Sequence, residues 1–148
     1  MMIMLKFKNI LLGIFISCLF VGTAFASNKS PNNLQWMNIP VAGGFTTAQI
    51  ARNTIGLYED TGYYQVLFRG KLNKKFKDKF KRELGLKTDP VYLYQKFVLD
   101  YDSEMYCAVD QYLVDRNDKI LHEQHTRNYL SFNESTLVRN IALKVAKL

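Results

Sequence analysis

Between Val91 and Val114 large apolar residues recur at every second position over most of the run. A period of two over that length specifies β-strands with one face buried. The run is broken once, at Asp102-Ser103-Glu104, a link too short for anything but a tight antiparallel turn. On the first strand Val91, Leu93, Phe97, Leu99 and Tyr101 share a face, opposite Tyr92, Tyr94, Lys96, Val98 and Asp100. On the second, unbroken alternation groups Met105, Cys107, Val109 and Leu113 against Tyr106, Ala108, Asp110, Tyr112 and Val114. Asp115-Arg116-Asn117-Asp118 reads as a second hairpin loop, and Lys119 to Arg127 as a third strand at a sheet edge. Three strands joined this tightly form an antiparallel meander.

The segments on either side have weaker periods. Leu34 to Ile39, with Trp36, reads as a short first strand ending before Pro40. Phe45 to Tyr58 is β-branched enough for two strands turning at Arg52-Asn53, although a helix capped by Thr46 is the competing reading. Tyr63 to Arg69 is a strand that Gly70 should close. The period then becomes helical. Leu72, Phe76, Phe80 and Leu84 are spaced four apart, and Gly85 supplies a C-terminal stop for a basic amphipathic helix over Asn73 to Leu84. At the end of the chain Ser131-Phe132-Asn133-Glu134 has the form of a capping box. Leu137, Val138, Ile141, Ala142 and Val145 follow on one face of a final helix. That face needs cover, and the sheet is the apolar surface available for it. The expected fold is therefore α+β: an antiparallel sheet of about five or six strands with a C-terminal helix on one face and a basic helix inserted between strands.

Residues 1–26 have another character. Lys6 and Lys8 precede an apolar run from Ile10 to Val21, and Ala24-Phe25-Ala26 has the small residues a signal peptidase requires. This predicts an export signal of bacterial type, followed by a flexible leader over 27–33 and one domain over 34–148. Two alternatives stay open. A retained anchor would need a run of roughly 20 apolar residues, and this one has about 12. Lipidation at Cys18 would use Phe15-Ile16-Ser17-Cys18, a loose lipobox. Once the signal is removed, the sequence holds no further transmembrane stretch. The predicted location is the periplasm or cell surface of a bacterium.

Chemistry-bearing residues are few. His122 and His125, three apart on a strand, should point to opposite faces and so cannot jointly hold a metal; both read as solvent-side residues. Glu123 and His125 share a face, with no nucleophile in the sequence nearby. Asp100, Asp102, Glu104 and Asp110 crowd one hairpin, but calcium demands more oxygen ligands on a looped backbone, so a solvated turn is the reading. Cys107, the one cysteine left after signal removal, has no intramolecular partner and reads as a buried, inert thiol. There is no phosphate loop, nucleophile elbow or paired-cysteine motif. The chain is read as non-enzymatic and without a cofactor.

The most distinctive surface feature is a cationic ridge on the basic helix: Lys74, Lys75, Lys77, Lys79, Lys81 and Arg82, with Asp78 the one acid among them. The formal charge of the whole chain is +7. A ridge like this suits an acidic protein surface, an anionic glycan or lipid head groups. The plainer reading is a solvated helix face. Nucleic acid is not an expected partner, because the basic side offers no aromatic to stack on bases.

The second half of the chain resembles the bacterial surface-adhesin protein E family. The resemblance is carried by the Tyr-rich strand from Tyr92 to Tyr101, the acidic turn Asp102 to Glu104 and the strand with Tyr106 and Tyr112. The loop Asp115 to Lys119, the C-terminal helix and the early Trp36 continue it. It implies a curved sheet of about six strands with the helix on its concave side, in an envelope protein that binds host or matrix proteins. The family's helix-to-sheet disulfide has no counterpart here. From another class, the pattern also suits a periplasmic accessory protein, cystatin-like or nuclear-transport-factor-2-like, that holds a ligand or partner in a cavity between sheet and helix.

Overall fold

The computed structural model describes residues 33–148. The expected signal over 1–26 and nearly all of the leader over 27–33 lie outside the described residues.

The strands are β1 (Trp36–Asn38), β2 (Phe45–Tyr58), β3 (Tyr63–Leu72), β4 (Tyr92–Asp100), β5 (Met105–Val114), β6 (Ile120–His125) and β7 (Leu130–Ser131). They form one antiparallel sheet in the order β1-β2-β3-β4-β5-β6, with β7 pairing the start of β5. From β1 to β6 each strand therefore lies beside its neighbour in sequence, and only β7 departs from that order. Helix α1 (Lys74–Leu84) sits between β3 and β4, and α2 (Thr136–Ala146) closes the chain. Among the described residues no helix is long and apolar enough to cross a membrane.

The expected meander is present, with three changes in detail. First, Phe45 to Tyr58 is neither a helix nor two strands turning at Arg52-Asn53. It is one strand of 14 residues with a wide bulge. Ala51 pairs Leu67 and Gly56 pairs Gln65, so the residues between them outnumber their partners. The Thr54 hydroxyl, buried inside the bulge, donates to the Ala51 carbonyl at 2.6 Å and accepts from the Leu67 amide at 2.9 Å. One side chain thus replaces the missing rungs, and the strand continues where the polar Arg52-Asn53 pair suggested a turn.

Second, β5 carries a bulge at Val109: Lys96 pairs Asp110, but Phe97 pairs Ala108. An extra residue reverses the alternation beyond it. Tyr106 and Ala108 therefore join Leu113 on the helix-bearing face, while Cys107 and Val109 pack against Val98 and Tyr58 on the other. The face assignment for β4 holds and the one for β5 does not.

Third, Ser131 does not cap the last helix. It caps a short 3-10 turn, Phe132–Glu134, and Ser135 is the N-cap of α2, accepting from the Val138 amide at 3.1 Å.

Both helices lie on the same face. From α2, Val138, Ile141, Ala142 and Val145 enter the main core with Ile50, Phe68, Phe97 and Leu99. The Tyr101 hydroxyl donates to the Ala142 carbonyl at 2.7 Å and ties α2 to the end of β4. From α1, Phe80 is buried with Leu72, Leu93 and Leu113 in a smaller cluster, which Phe45, Phe76 and Leu84 border.

Candidate functional site

A cleft of about 420 Å³ opens between the two helices on this face. Its floor is β4 and β5: Leu93, Gln95 and Phe97 beside Tyr106 and Ala108. One wall is aromatic, Phe45 and Phe76; the other is the first turn of α2, with Leu137 and Val138. Ala42, Gly43, Leu130, Glu134, Ser135 and Thr136 complete the lining. The volume lies within the range of small-molecule sites, and the walls are mostly apolar with a few polar groups.

The aromatic wall depends on two glycines. Gly70 lies within β3 rather than closing it, and a Cβ there would fall 2.4 Å from the Phe45 ring. A Cβ on Gly44 would fall 2.1 Å from the Phe76 ring. Gly44 also has φ +80, a conformation side chains disfavour. Both rings therefore rest on bare backbone and meet edge-on, their centroids 6.2 Å apart. Phe76 is set by α1, whose start is fixed by the Asn73 side chain accepting from the Phe76 amide at 2.9 Å. Gly85, at φ 63, ends that helix as expected.

The floor has an unusual polar row. Gln95, Gln111 and Gln124 stand opposite one another on β4, β5 and β6. All three are buried, with Gln111 and Gln124 fully enclosed. The Gln95 amide donates to Gln111 Oε1 at 2.6 Å. Both polar atoms of Gln124 are buried without a hydrogen-bond partner. On the same row β2 and β3 place Ile50 and Phe68. Burial of amides beside such residues is costly unless their hydrogen bonds are made.

No family model, curated protein or solved structure matches this chain. The site is therefore read from its own geometry.

The residues singled out by sequence lie elsewhere. On α1 Lys74, Lys75 and Arg82 are exposed and Lys77, Lys79 and Lys81 half-buried, with Lys74 pairing Asp78 at 3.1 Å and Lys81 pairing Asp89 at 2.9 Å on the surface. The Lys81 hydrogen bond and charge, with Lys77 and Lys74 beyond, hold the Asp89 carboxyl below its usual range. None of the six cations lines the cleft, although Phe76 of the same helix does.

His122 and His125 take opposite faces, as spacing required: His122 stands opposite Leu113 and His125 opposite Asp110. Neither is simply solvent-facing. Burial depresses the His122 pKa, and His125 Nδ1 pairs closely with Asp110 Oδ1. Lys96 is next to Asp110 in the same row, and burial lowers its pKa against the pull of that carboxylate. This Lys96–Asp110–His125 row was invisible to sequence because it depends on two register shifts, one at Val109 between β4 and β5 and one at Leu113/Val114 between β5 and β6. It lies on the face away from the cleft.

Cys107 is 1 % exposed, its thiol pushed up to about 11 by burial, and it donates to the Thr126 carbonyl at 3.4 Å. It is an inert core thiol at neutral pH. Asp100 is buried at the hairpin and accepts from the Ser103 amide at 3.2 Å, while Asp110 has left the cluster for His125. The acidic hairpin is thus a turn.

Signals for the cleft were nevertheless in the sequence. Gly43-Gly44 and Gly70 stand out as glycines in β-rich surroundings, a pattern that marks close approach of another group. Gln95 and Gln111 interrupt strands that are otherwise apolar on that face.

Proposed function

We propose that this chain is an exported, non-enzymatic binding protein that holds a small ligand in the cleft between α1 and α2. The observation that carries this reading is the cleft itself: about 420 Å³, with two phenylalanines seated on glycine backbone as one wall. The cleft is open on one side and mostly apolar within, so an apolar ligand entering it removes surface from water. The groups best placed to move protons, His125 and Asp110, lie on the opposite face. Export rests on the signal pattern of residues 1–26, and a periplasmic or surface location follows from it.

The test is to plug the site. Ala42 is partly exposed on the loop before β2 and lines the cleft. Ala42→Trp should abolish binding of the uncharged fluorophore N-phenyl-1-naphthylamine while leaving the melting temperature close to that of the parent. Equal binding by parent and variant sinks the reading. Identification of the mature N-terminus at Ser27 in fractionated cells tests the export half of it.

A second reading, an adhesin-like surface protein that engages an anionic partner through the ridge, is favoured by the exposure of α1's cations, with Lys74 88 % exposed. Replacing Lys74, Lys75, Lys77 and Lys81 by Glu should then abolish retention on a heparin column. Unchanged elution leaves the ridge as a solvated face.

A further inference from the structure

We infer that the cleft selects an uncharged, largely apolar ligand bearing one hydroxyl or amide group, read by Gln95. This deepens the binding reading above and rests on it. Three observations carry it.

The first is the position of Gln95. It is 8 % exposed, yet its side chain lines the cleft floor between Leu93 and Phe97. Its amide nitrogen donates one hydrogen to Gln111. A carboxamide has two N–H groups and a carbonyl oxygen, so one donor and one acceptor remain. Together they match a ligand group that both accepts and donates, which an alcohol or an amide does and a hydrocarbon does not.

The second is the row behind it. Gln111 and Gln124 continue the amide line across β5 and β6, away from the cleft. The Gln111 contact ties down the Gln95 amide nitrogen, so the groups left over are fixed in place before a ligand arrives. Preorganisation of this kind lowers the cost of binding.

The third is charge. No cation lines the cleft, and the carboxylate-bearing Glu134 does. A ligand carboxylate or phosphate would meet no side-chain cation in the lining and would meet an exposed acid, Glu134, on the rim. From α1 only Phe76 contributes to the lining; Lys79 Nζ stands 5.7 Å from the centroid of that ring but is not among the lining groups. The cleft therefore disfavours anions, and aliphatic and aromatic walls supply the binding area.

Two fluorophores that share one ring system test this: neutral N-phenyl-1-naphthylamine and its sulfonated analogue 8-anilinonaphthalene-1-sulfonate. Each is titrated into the parent, Gln95→Leu and Ala42→Trp, and only the signal removed by Ala42→Trp is counted as cleft binding. Surface binding of the sulfonate to the α1 lysines is thereby subtracted. The neutral probe should bind the cleft at least about tenfold more tightly than the sulfonate, and Gln95→Leu should weaken the neutral probe about fivefold, the loss of the one hydrogen bond its amine N–H donates to the Gln95 carbonyl oxygen. Gln95→Met, of similar shape and without the amide, should weaken it equally if Leu perturbs the floor. Cleft binding that is equal for the two probes, or unchanged in both Gln95 variants, overturns this inference and leaves the cleft reading standing. Absence of any signal removed by Ala42→Trp overturns both.

Discussion

Helices α1 and α2 are each 11 residues long, begin with a side-chain cap and lie on the same face of the sheet, yet they are held in opposite ways. Four residues of α2 are buried in the main core, and its Ala142 carbonyl is fastened by Tyr101. From α1 only Phe80 is buried, and its remaining surface is mostly cationic and wet. The main core and α2 are one structure. The smaller cluster beneath α1 is a separate anchor, and the cleft is the gap between the two. A site between a fixed wall and a lightly held one can be well shaped without being sealed.

The sharpest way to break this comparison is through the two anchors. Ile141→Ala, at a fully buried position on α2, should cost about 4 kcal/mol in denaturant unfolding, and Phe80→Ala on α1 about 3 kcal/mol. Native-state hydrogen exchange separates them: Phe80→Ala should free the α1 amides while the β4 and β5 amides stay protected, whereas Ile141→Ala should lower protection everywhere. Parallel loss across both helices in each variant would mean that the fold has one anchor, not two.

Gly44→Ala should come next, at about 2 kcal/mol, from the strained φ and the clash with Phe76 together. It should also displace Phe76 from the cleft wall and weaken the neutral probe, which a merely strained turn would not do. Both effects are measured by thermal unfolding and titration of the same sample.

The caps give a smaller and more pointed test. Ser135→Ala should cost about 1 kcal/mol by removing the α2 cap. Ser131→Ala should cost only roughly 0.3 kcal/mol, because it caps a short 3-10 turn. The reverse order would return the helix start to Ser131. Smallest of all, the quadruple lysine-to-glutamate change on α1 should move Tm by less than about 1 °C, since the ion pairs it breaks are at the surface.

Alternation along Val91 to Val114, the short links at Asp102 and Asp115, and the four-residue spacing of Phe76, Phe80 and Leu84 were enough to determine an antiparallel meander with one helix inside it and one after it. These are local signals: strand and helix periods are written in neighbouring residues, and short loops leave no choice of pairing. Only tertiary structure decided the rest. The Val109 bulge, set by how β5 pairs with β4, chose which side chains face the helices and put Asp110 opposite Lys96, while the register of β6 on β5 brought His125 to Asp110. The rings of Phe45 and Phe76, from segments about thirty residues apart, came to rest on Gly70 and Gly44, and the cleft followed. Register and ring-over-backbone contact depend on residues that meet only in the folded chain, so neither could be read from any one stretch of it.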